Sequence, residues 1–140
     1  MRFMMLMIPL GYETAPPDVK LDPERMRAMM KYNESLKDAG ILIALDGLHP
    51  TSKGARIKYS GGAPVVTEGP FPVTGDLVCG FWLIEVGSKD EAIQWMKRAP
   101  FDGGAEIEIR QVFSAEDFGE ALTPELREQE ERLRAQAAKK

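Results

Sequence analysis

The chain has 140 residues, which is long enough for one domain whose hydrophobic core needs no metal or disulfide. Its 18 basic and 22 acidic residues give a net charge of −4, and no stripe of Lys and Arg stands out that could bind a phosphate backbone, so nucleic acid is not an expected partner. The single Cys79 excludes an intramolecular disulfide, and no apolar run reaches the roughly 18 residues of a membrane span, so we expect a cytoplasmic protein.

The first predicted element is a strand at residues 2–8. Apolar side chains occupy both of its alternating faces, with Phe3 and Met5 on one face and Met4 and Leu6 on the other. Because a strand that is apolar on both faces is covered on both sides, this strand should lie in the middle of a sheet.

An amphipathic helix is predicted next, in "LDPERMRAMMKYNESLKDAG" at residues 21–40. Asp22 is the expected N-cap, and Gly40 ends the helix. Apolar side chains recur at helical spacing and define the stripe expected to be buried, which consists of Met26, Met29, Met30, Leu36 and Ala39. Asn33 falls on the same stripe, either as a hydrogen-bonded core group or as a side chain that faces a ligand cavity.

A second strand, a hairpin and a loop follow. "ILIALDGL" at residues 41–48 predicts the strand, and residues 55–68 predict two short strands about a Gly-Gly turn. The loop that follows, "TEGPFPVTGD", is too rich in Gly and Pro for a helix or a central strand. Pro70 and Pro72 fix φ on either side of Phe71, so we expect a rigid loop that presents this ring to a pocket.

The second half of the domain adds a strand, a helix and another strand. "LVCGFWLIEV" at residues 77–86 is apolar on both faces and predicts a second central strand. "SKDEAIQWMKRAP" begins with a capping box formed by Ser88 and Glu91, which predicts a helix that stops at Pro100. "EIEIRQVF" at residues 106–113 alternates polar and apolar residues, as an edge strand with one solvent-exposed face does.

The order of these elements is β-α-β-(hairpin)-β-α-β, the split βαβ pattern of ferredoxin-like α+β folds. Two helices can cover only one face of such a sheet, so the apolar residues of the other face need a second cover, most simply the sheet of an identical subunit. We therefore expect a homodimer, with Val78, Trp82 and Ile84 buried in its interface.

The chain divides into a domain at residues 1–119 and a charged helical tail at residues 120–140. Thr123 is the expected cap of the tail helix, whose only large apolar residues are Leu126 and Leu133. Because acidic and basic residues are mixed along it, the tail is expected to be a solvated helix that clasps the partner subunit, and not an arm that binds nucleic acid.

Segments from most of the chain resemble the YCII-related proteins, in the subgroup marked by a "DGPF" loop. These segments are "KYNESLKDAGIL", "LDGLHPTSKGARIKYSGG", "TEGPF", "GFWLIEVGSKDEAIQWMKRAP", "EIEIRQVF" and "EDFGEALTPELREQEERLRAQ". The resemblance implies a ferredoxin-like α+β fold with an extra hairpin and a C-terminal helix, dimers of the dimeric α/β-barrel kind, and a pocket beside the sheet. It implies no particular reaction, since the subgroup has none that is agreed.

The loop departs from the pattern of this subgroup. Glu68 stands where the subgroup usually has an Asp before Gly-Pro-Phe, and residues 72–76 replace the usual Ala-Glu-Thr-Lys-Glu. A Glu and a Lys are thus missing, and any chemistry that they serve in relatives is not expected here. Gly69, Pro70 and Phe71 still suffice for a pocket wall.

The candidate catalytic residues are His49, Asp46 and Glu68. A His with a carboxylate partner is the usual acid–base pair near neutral pH, and the resemblance adds that related proteins have a His and an Asp proposed as a catalytic pair. Residues three apart on a strand point to opposite faces, so the pair meets only if Gly47 permits a bend, and otherwise His49 is a turn residue. Glu68 is either an acid or base desolvated by Phe71 or a cap for the amides of its own turn.

The candidate ligand-pocket residues are Asn33, Pro70, Phe71 and Arg110. Arg110 shares a strand face with Glu106 and Glu108, so an ion pair is the alternative to an anion-binding role. No Gly-rich phosphate loop, triad signature or cluster of metal ligands occurs in the sequence, so neither a cofactor nor a metal is expected.

Two functions fit these patterns. The first is a small-molecule-binding or regulatory module, whose pocket forms on dimerisation and takes an unknown ligand or whose surface meets a regulatory protein, and the altered loop favours it. The second is a cofactor-free lyase, isomerase or hydrolase-like enzyme that uses His49 with Asp46 or Glu68. A His49 ring that reaches a carboxylate and opens to a cavity would support catalysis, whereas a lone solvent-facing ring would support binding.

Overall fold

The computed structural model describes residues 1–9, 20–72, 75–101 and 103–139. The strands and α-helices in these ranges, numbered in chain order, are β1 (Arg2–Pro9), α1 (Pro23–Asp38), β2 (Leu42–Gly47), β3 (Ala55–Lys58), β4 (Val65–Glu68), β5 (Gly80–Glu85), α2 (Lys89–Met96), β6 (Ala105–Gln111) and α3 (Pro124–Ala137). Two short 3-10 helices, Thr51–Lys53 and Ala115–Ala121, lie in connections for which the sequence pattern predicted no regular structure.

Four strands form an antiparallel sheet in the order β2-β5-β1-β6, and β3 pairs with β4 in a separate hairpin. The two strands that are apolar on both faces are therefore the central ones, as predicted, and β6 is an edge strand. At the other edge, the pairing of β2 with β5 shifts register between Leu42 and Ala44, which marks a β-bulge. This topology confirms the ferredoxin-like α+β fold.

The helices begin where the sequence places their caps. The Asp22 carboxylate accepts a hydrogen bond from the Glu24 amide at 3.0 Å, and the Ser88 hydroxyl accepts one from the Glu91 amide at 3.1 Å. At α3 the hydroxyl of Thr123 accepts from the backbone at 3.3 Å. Each bond satisfies an amide that has no partner within its own helix, which explains why these short polar signals predicted the start of all three helices.

The core lies between the helices and one face of the sheet. Phe3, Met5 and Ile84 on the sheet and Leu36 on α1 are almost fully buried. Tyr32 is also buried, at 7% exposure, whereas Met26 and Met30 are 40% and 58% exposed, so the predicted stripe of α1 was partly wrong. The buried face of α1 passes through residues 29, 32, 33 and 36, so it is displaced around the helix from Met26 and Met30, and Ala39 is also exposed.

The two faces of β5 have different surroundings. Trp82 and Ile84 point to the helices and are 5% and 0% exposed within one subunit, so the prediction that a dimer interface buries them was wrong. Phe81 and Leu83 lie on the opposite face and are half-buried. Alternation had separated these two sets correctly, but both are apolar, and the pattern did not distinguish the helix side from the open side.

The C-terminal helix α3 has few contacts with the rest of the fold. Arg127 approaches Glu116 at 3.9 Å, while Leu126 and Leu133 are 47% and 57% exposed. Within the described ranges, neither this helix nor any other is long and apolar enough to cross a bilayer. The tail is thus a charged helix, as predicted, and about half of each of its two leucines is exposed.

Candidate functional site

The face of the four-stranded sheet opposite α1 and α2 carries a strip of apolar side chains between charged edges. Register places Met4 beside Leu83 and Leu6 beside Phe81, so the centre of this face is apolar. We define the open sheet face by the side chains that the register aligns on it, which are Arg2, Met4, Leu6, Ile8, Ala44, Asp46, Phe81, Leu83, Glu85, Glu106, Glu108 and Arg110. Asp46 lies at one edge and Arg110 at the other.

Asp46 and Arg110 are too far apart to act on one small group. Asp46 pairs across to Phe81 on β5, whereas Arg110 pairs to Met4 on β1 and belongs to the opposite edge strand. Strands are about 4.8 Å apart, so three strand spacings separate the two edges by about 14 Å. Arg110 donates to Glu108 at 3.4 Å, which is the ion pair that the sequence indicated as the alternative to anion binding.

His49 follows β2 in an exposed turn. The backbone before it is fixed, since the Leu48 amide donates to the carbonyl of Cys79 at 2.8 Å. Both His49 and Asp46 are exposed, and among the described residues no hydrogen bond or ion pair joins the His49 ring to Asp46 or to another carboxylate. The structure therefore does not bring the expected acid–base pair together.

The residues after β4 pack against the turn that follows His49. The Gly69 amide donates to the Gly54 carbonyl at 2.8 Å, and the Gly54 amide donates to the Thr51 carbonyl at 2.9 Å. A Cβ on Gly69 would lie 1.6 Å from the Thr51 oxygen, a distance that no side chain can occupy. Only glycine fits here, and the two loops are held together as one unit.

Replacing Gly69 with alanine is expected to destabilise the protein by about 1–3 kcal/mol, because the new methyl group forces the two loops apart. For a chain of this length the melting temperature should fall by about 3–10 °C. Gly62→Ala is the matched control, since nothing lies within 4 Å of a Cβ at that position. Equal melting temperatures of the two variants in calorimetry would contradict the close packing of Gly69.

Glu68, the last residue of β4, and Phe71, in the loop that follows, have different surroundings. Glu68 is exposed at the end of β4, and the turn is held by the Gly69 amide, while no amide among the described residues donates a hydrogen bond to the Glu68 carboxylate. The Arg56 guanidinium lies over the Phe71 ring at 4.2 Å from its centroid and donates to the Pro72 carbonyl at 3.3 Å. Arg56 on the hairpin thus fixes Phe71 through a cation–π contact.

Pro70 and the residues after Pro72 make up the rest of this loop. Pro70 is exposed after a cis peptide bond with Gly69. Val73 and Thr74, two of the residues by which the loop departs from the subgroup pattern, lie outside the described residues. No sequence pattern indicates the contact between Arg56 and Phe71, because the two residues lie on different elements and follow no periodicity.

Asn33 is part of the hydrogen-bonded core. Its side-chain oxygen accepts a hydrogen bond from the indole nitrogen of Trp82 at 2.8 Å. The neighbouring Tyr32 hydroxyl donates to the Trp95 carbonyl at 2.8 Å, and burial raises the pKa of Tyr32 to about 12. Of the two interpretations of Asn33, the core group is the one that this bond supports.

The described part of the chain contains neither a reactive thiol nor a cluster of metal-binding side chains. Burial raises the pKa of the Cys79 thiol to about 11, so it is protonated at neutral pH and is a poor nucleophile. No group of three or more His, Cys, Asp and Glu side chains within the described ranges is arranged to hold a metal ion.

A cleft that the sequence pattern did not indicate lies where β6 ends. It has a volume of about 410 Å³ and is lined by Arg110, Phe113, Phe118, Leu122, Glu130 and Arg134, among others. The Phe113 and Phe118 rings stack at 5.1 Å between centroids, although both are largely exposed. The alternating pattern extends the edge strand to Phe113, whereas β6 ends at Gln111. The 3-10 turn that brings Phe118 to Phe113 has no period that a sequence pattern could indicate.

Comparison with known proteins relates these features to a family. The sequence profile of the YCII-related domain matches residues 1–116. An uncharacterized protein of Rhizobium meliloti (strain 1021) is 33% identical over 76 residues, which are 54% of this chain and 61% of that relative. The aligned region thus spans about three-fifths of the length of this curated relative, whose description states no activity.

Proposed function

The chain belongs to the family of YCII-related domains, and from this premise we propose that it is a homodimeric small-molecule-binding protein with a pocket beside the open sheet face. The observation that carries the proposal is the composition of that face, which has an apolar centre on the two central strands and charged side chains at its edges.

Dimerisation follows from the need to cover this apolar strip. The helices α1 and α2 pack on the opposite face of the sheet, while Met4, Leu6, Phe81 and Leu83 keep part of their surface exposed. Contiguous apolar surface of this kind is rare on monomers and is commonly an interface. A second copy offers the same strip about a two-fold axis, and two sheets packed face to face lie about 10 Å apart.

The pocket is proposed at the edge of that interface, where β2 ends. Asp46 is the charged side chain of the open sheet face at this end, and the turn with His49 follows it. The loop at Gly69 holds this turn in place. A small ligand with an apolar body and a polar group able to bind a carboxylate or an imidazole suits this combination.

Binding is favoured over catalysis by the surroundings of His49. General acid–base catalysis needs an oriented ring, usually through a hydrogen bond to a second group. Among the described residues the ring has no such partner, and it is exposed. The residues match a site that recognises a ligand better than one that transfers a proton.

We also propose that the chain belongs to the subgroup marked by a "DGPF" loop, with Glu68 in place of its Asp. The support is the segment from Gly69 to Phe71, together with the C-terminal segment that continues beyond the matched domain.

A thermal-shift screen tests the proposed function. A ligand present at 100 times its Kd stabilises the fold by about 2.7 kcal/mol, or about 9 °C for a chain of this length. We expect the shift to decrease in Asp46→Asn and His49→Gln but to persist in Asp38→Asn, which removes an exposed carboxylate from α1 on the opposite side of the sheet. A broad screen without any stabilising compound, or one whose compounds stabilise all three variants equally, would contradict the proposed pocket.

A further inference from the structure

The helix α3 has a side that its own subunit does not use. Contacts with the body involve Arg127, which approaches Glu116, and the cleft-lining residues Glu130 and Arg134. Leu126 and Leu133 are seven residues apart, so they lie on one stripe of the helix, next to the side that contacts the body. About half of each leucine is exposed.

A helix of this kind is not expected to be stable alone. Isolated helices shorter than about 12–15 residues are marginal in water, and most helices gain their stability by packing an apolar stripe. Within α3, ion pairs join Glu128 to Arg132 and Glu130 to Arg134. Such exposed pairs contribute only about 0.3–0.5 kcal/mol each, so the exposed leucines indicate that a partner is missing.

The charges along α3 are divided between its two halves. Residues 124–131 contain four glutamates and one arginine, for a net charge of −3, whereas residues 132–139 contain two arginines and one lysine, for a net charge of +3. This order also favours the helix through its own dipole. In addition, it makes the helix complementary to an antiparallel copy of itself and repulsive to a parallel one.

We propose that α3 is a self-pairing helix, which joins two copies of this chain in an antiparallel contact along Leu126 and Leu133 about a two-fold axis. Leu126 of one copy then lies level with Leu133 of the other. Glu125 and Arg132 share a flank of the helix, and Glu125 of one copy comes within about 3 Å, measured along the axis, of Arg132 of the other. The contact covers the leucines and places the acidic half of each helix beside the basic half of the other.

Two single-cysteine variants test this geometry. Gln129 and Gln136 are exposed and lie on the same flank of the stripe. In the antiparallel pair the two copies of residue 129 are about 1.5 Å apart along the axis, whereas the two copies of residue 136 are about 20 Å apart. A disulfide needs Cα atoms within about 7 Å, and the native Cys79 is buried.

In a glutathione redox buffer, Gln129→Cys is expected to form a disulfide-linked dimer. The effective concentration of its two thiols should be at least about tenfold higher than that of the two thiols in Gln136→Cys. Adding Leu126→Gln and Leu133→Gln to the Gln129→Cys chain should reduce its cross-linking to the Gln136→Cys level, because glutamine keeps helix propensity but removes the apolar stripe. Circular dichroism checks that the helix content is kept.

Failure of Gln129→Cys to exceed Gln136→Cys would overturn the proposal, whether both variants cross-link efficiently or neither does. The contact does not depend on the small-molecule pocket. A negative cross-linking result therefore leaves the thermal-shift test of the proposed function unaffected.

Discussion

Replacing Trp82 with alanine is expected to lower the free energy of unfolding by about 3–5 kcal/mol. The Trp82 side chain is 5% exposed, and its ring makes edge contacts with Tyr32 at 6.0 Å and Phe101 at 6.4 Å between centroids. Truncation leaves a cavity among these rings and removes the indole donor to Asn33. Such a loss is a large part of the stability of an ordinary domain.

Urea unfolding followed by circular dichroism measures this loss. Trp95→Ala is the matched control, because Trp95 is only half-buried and its ring is covered by the Arg98 guanidinium at 3.7 Å. A double-mutant cycle of Trp82→Phe and Asn33→Ala isolates the hydrogen bond, since the second change should cost less once the donor is gone. A Trp82→Ala protein of normal stability that no longer dimerises would instead show that Trp82 lies in the dimer interface.

In a chain that also carries Leu126→Gln and Leu133→Gln, replacing Phe81, the residue before Trp82 on β5, with glutamate is expected to convert the dimer into a monomer and to leave the core intact. Phe81 lies at the centre of the open sheet face, between Leu6 on β1 and Asp46 on β2. Dimerisation would bury the new carboxylate without a cation, which costs several kcal/mol. We expect the dimer Kd to rise by a factor of about 100 or more, equivalent to about 2.7 kcal/mol.

Sedimentation velocity over a concentration series measures this Kd. Met30→Glu is the control, because Met30 is an apolar residue that is 58% exposed on α1, on the other side of the sheet. With the same two α3 substitutions, its Kd should equal that of the chain without Met30→Glu. If the chain with the two α3 substitutions is monomeric at micromolar concentration, or if it still dimerises after Phe81→Glu is added, pairing through the open sheet face is contradicted.

Together, these two neighbouring positions show what the sequence could predict of the fold. Alternation assigned Phe81 and Trp82 to opposite faces, and the doubly apolar strands were correctly placed at the centre of the sheet. Both side chains are large and apolar, so nothing local indicated which one faces the helices. That choice depends on the tertiary contacts of Trp82 with Tyr32 and Asn33, which lie about 50 residues earlier in the chain.

The candidate site was less predictable than the fold, because its contacts are non-local. The spacing of Asp46 and His49 indicated that they would meet only through a bend, and no contact between them is found among the described residues. The contact of Gly69 with Thr51 and the position of Arg56 over Phe71 join separate loops. Neither follows a period, so a pattern of residue types could not predict them.

The bulge in β2 and the charges on β6 have a consequence for aggregation. An exposed sheet edge offers free amides and carbonyls to any other strand, and long chains of edge-paired molecules can grow from it. At one edge, the register shift between Leu42 and Ala44 interrupts the regular ladder that an added strand would need. At the other edge, the β6 strand of a second molecule, added in register, would place its Glu106 and Glu108 beside the same two glutamates of the first molecule. Each edge of this sheet thus carries a feature that opposes the regular addition of a further strand.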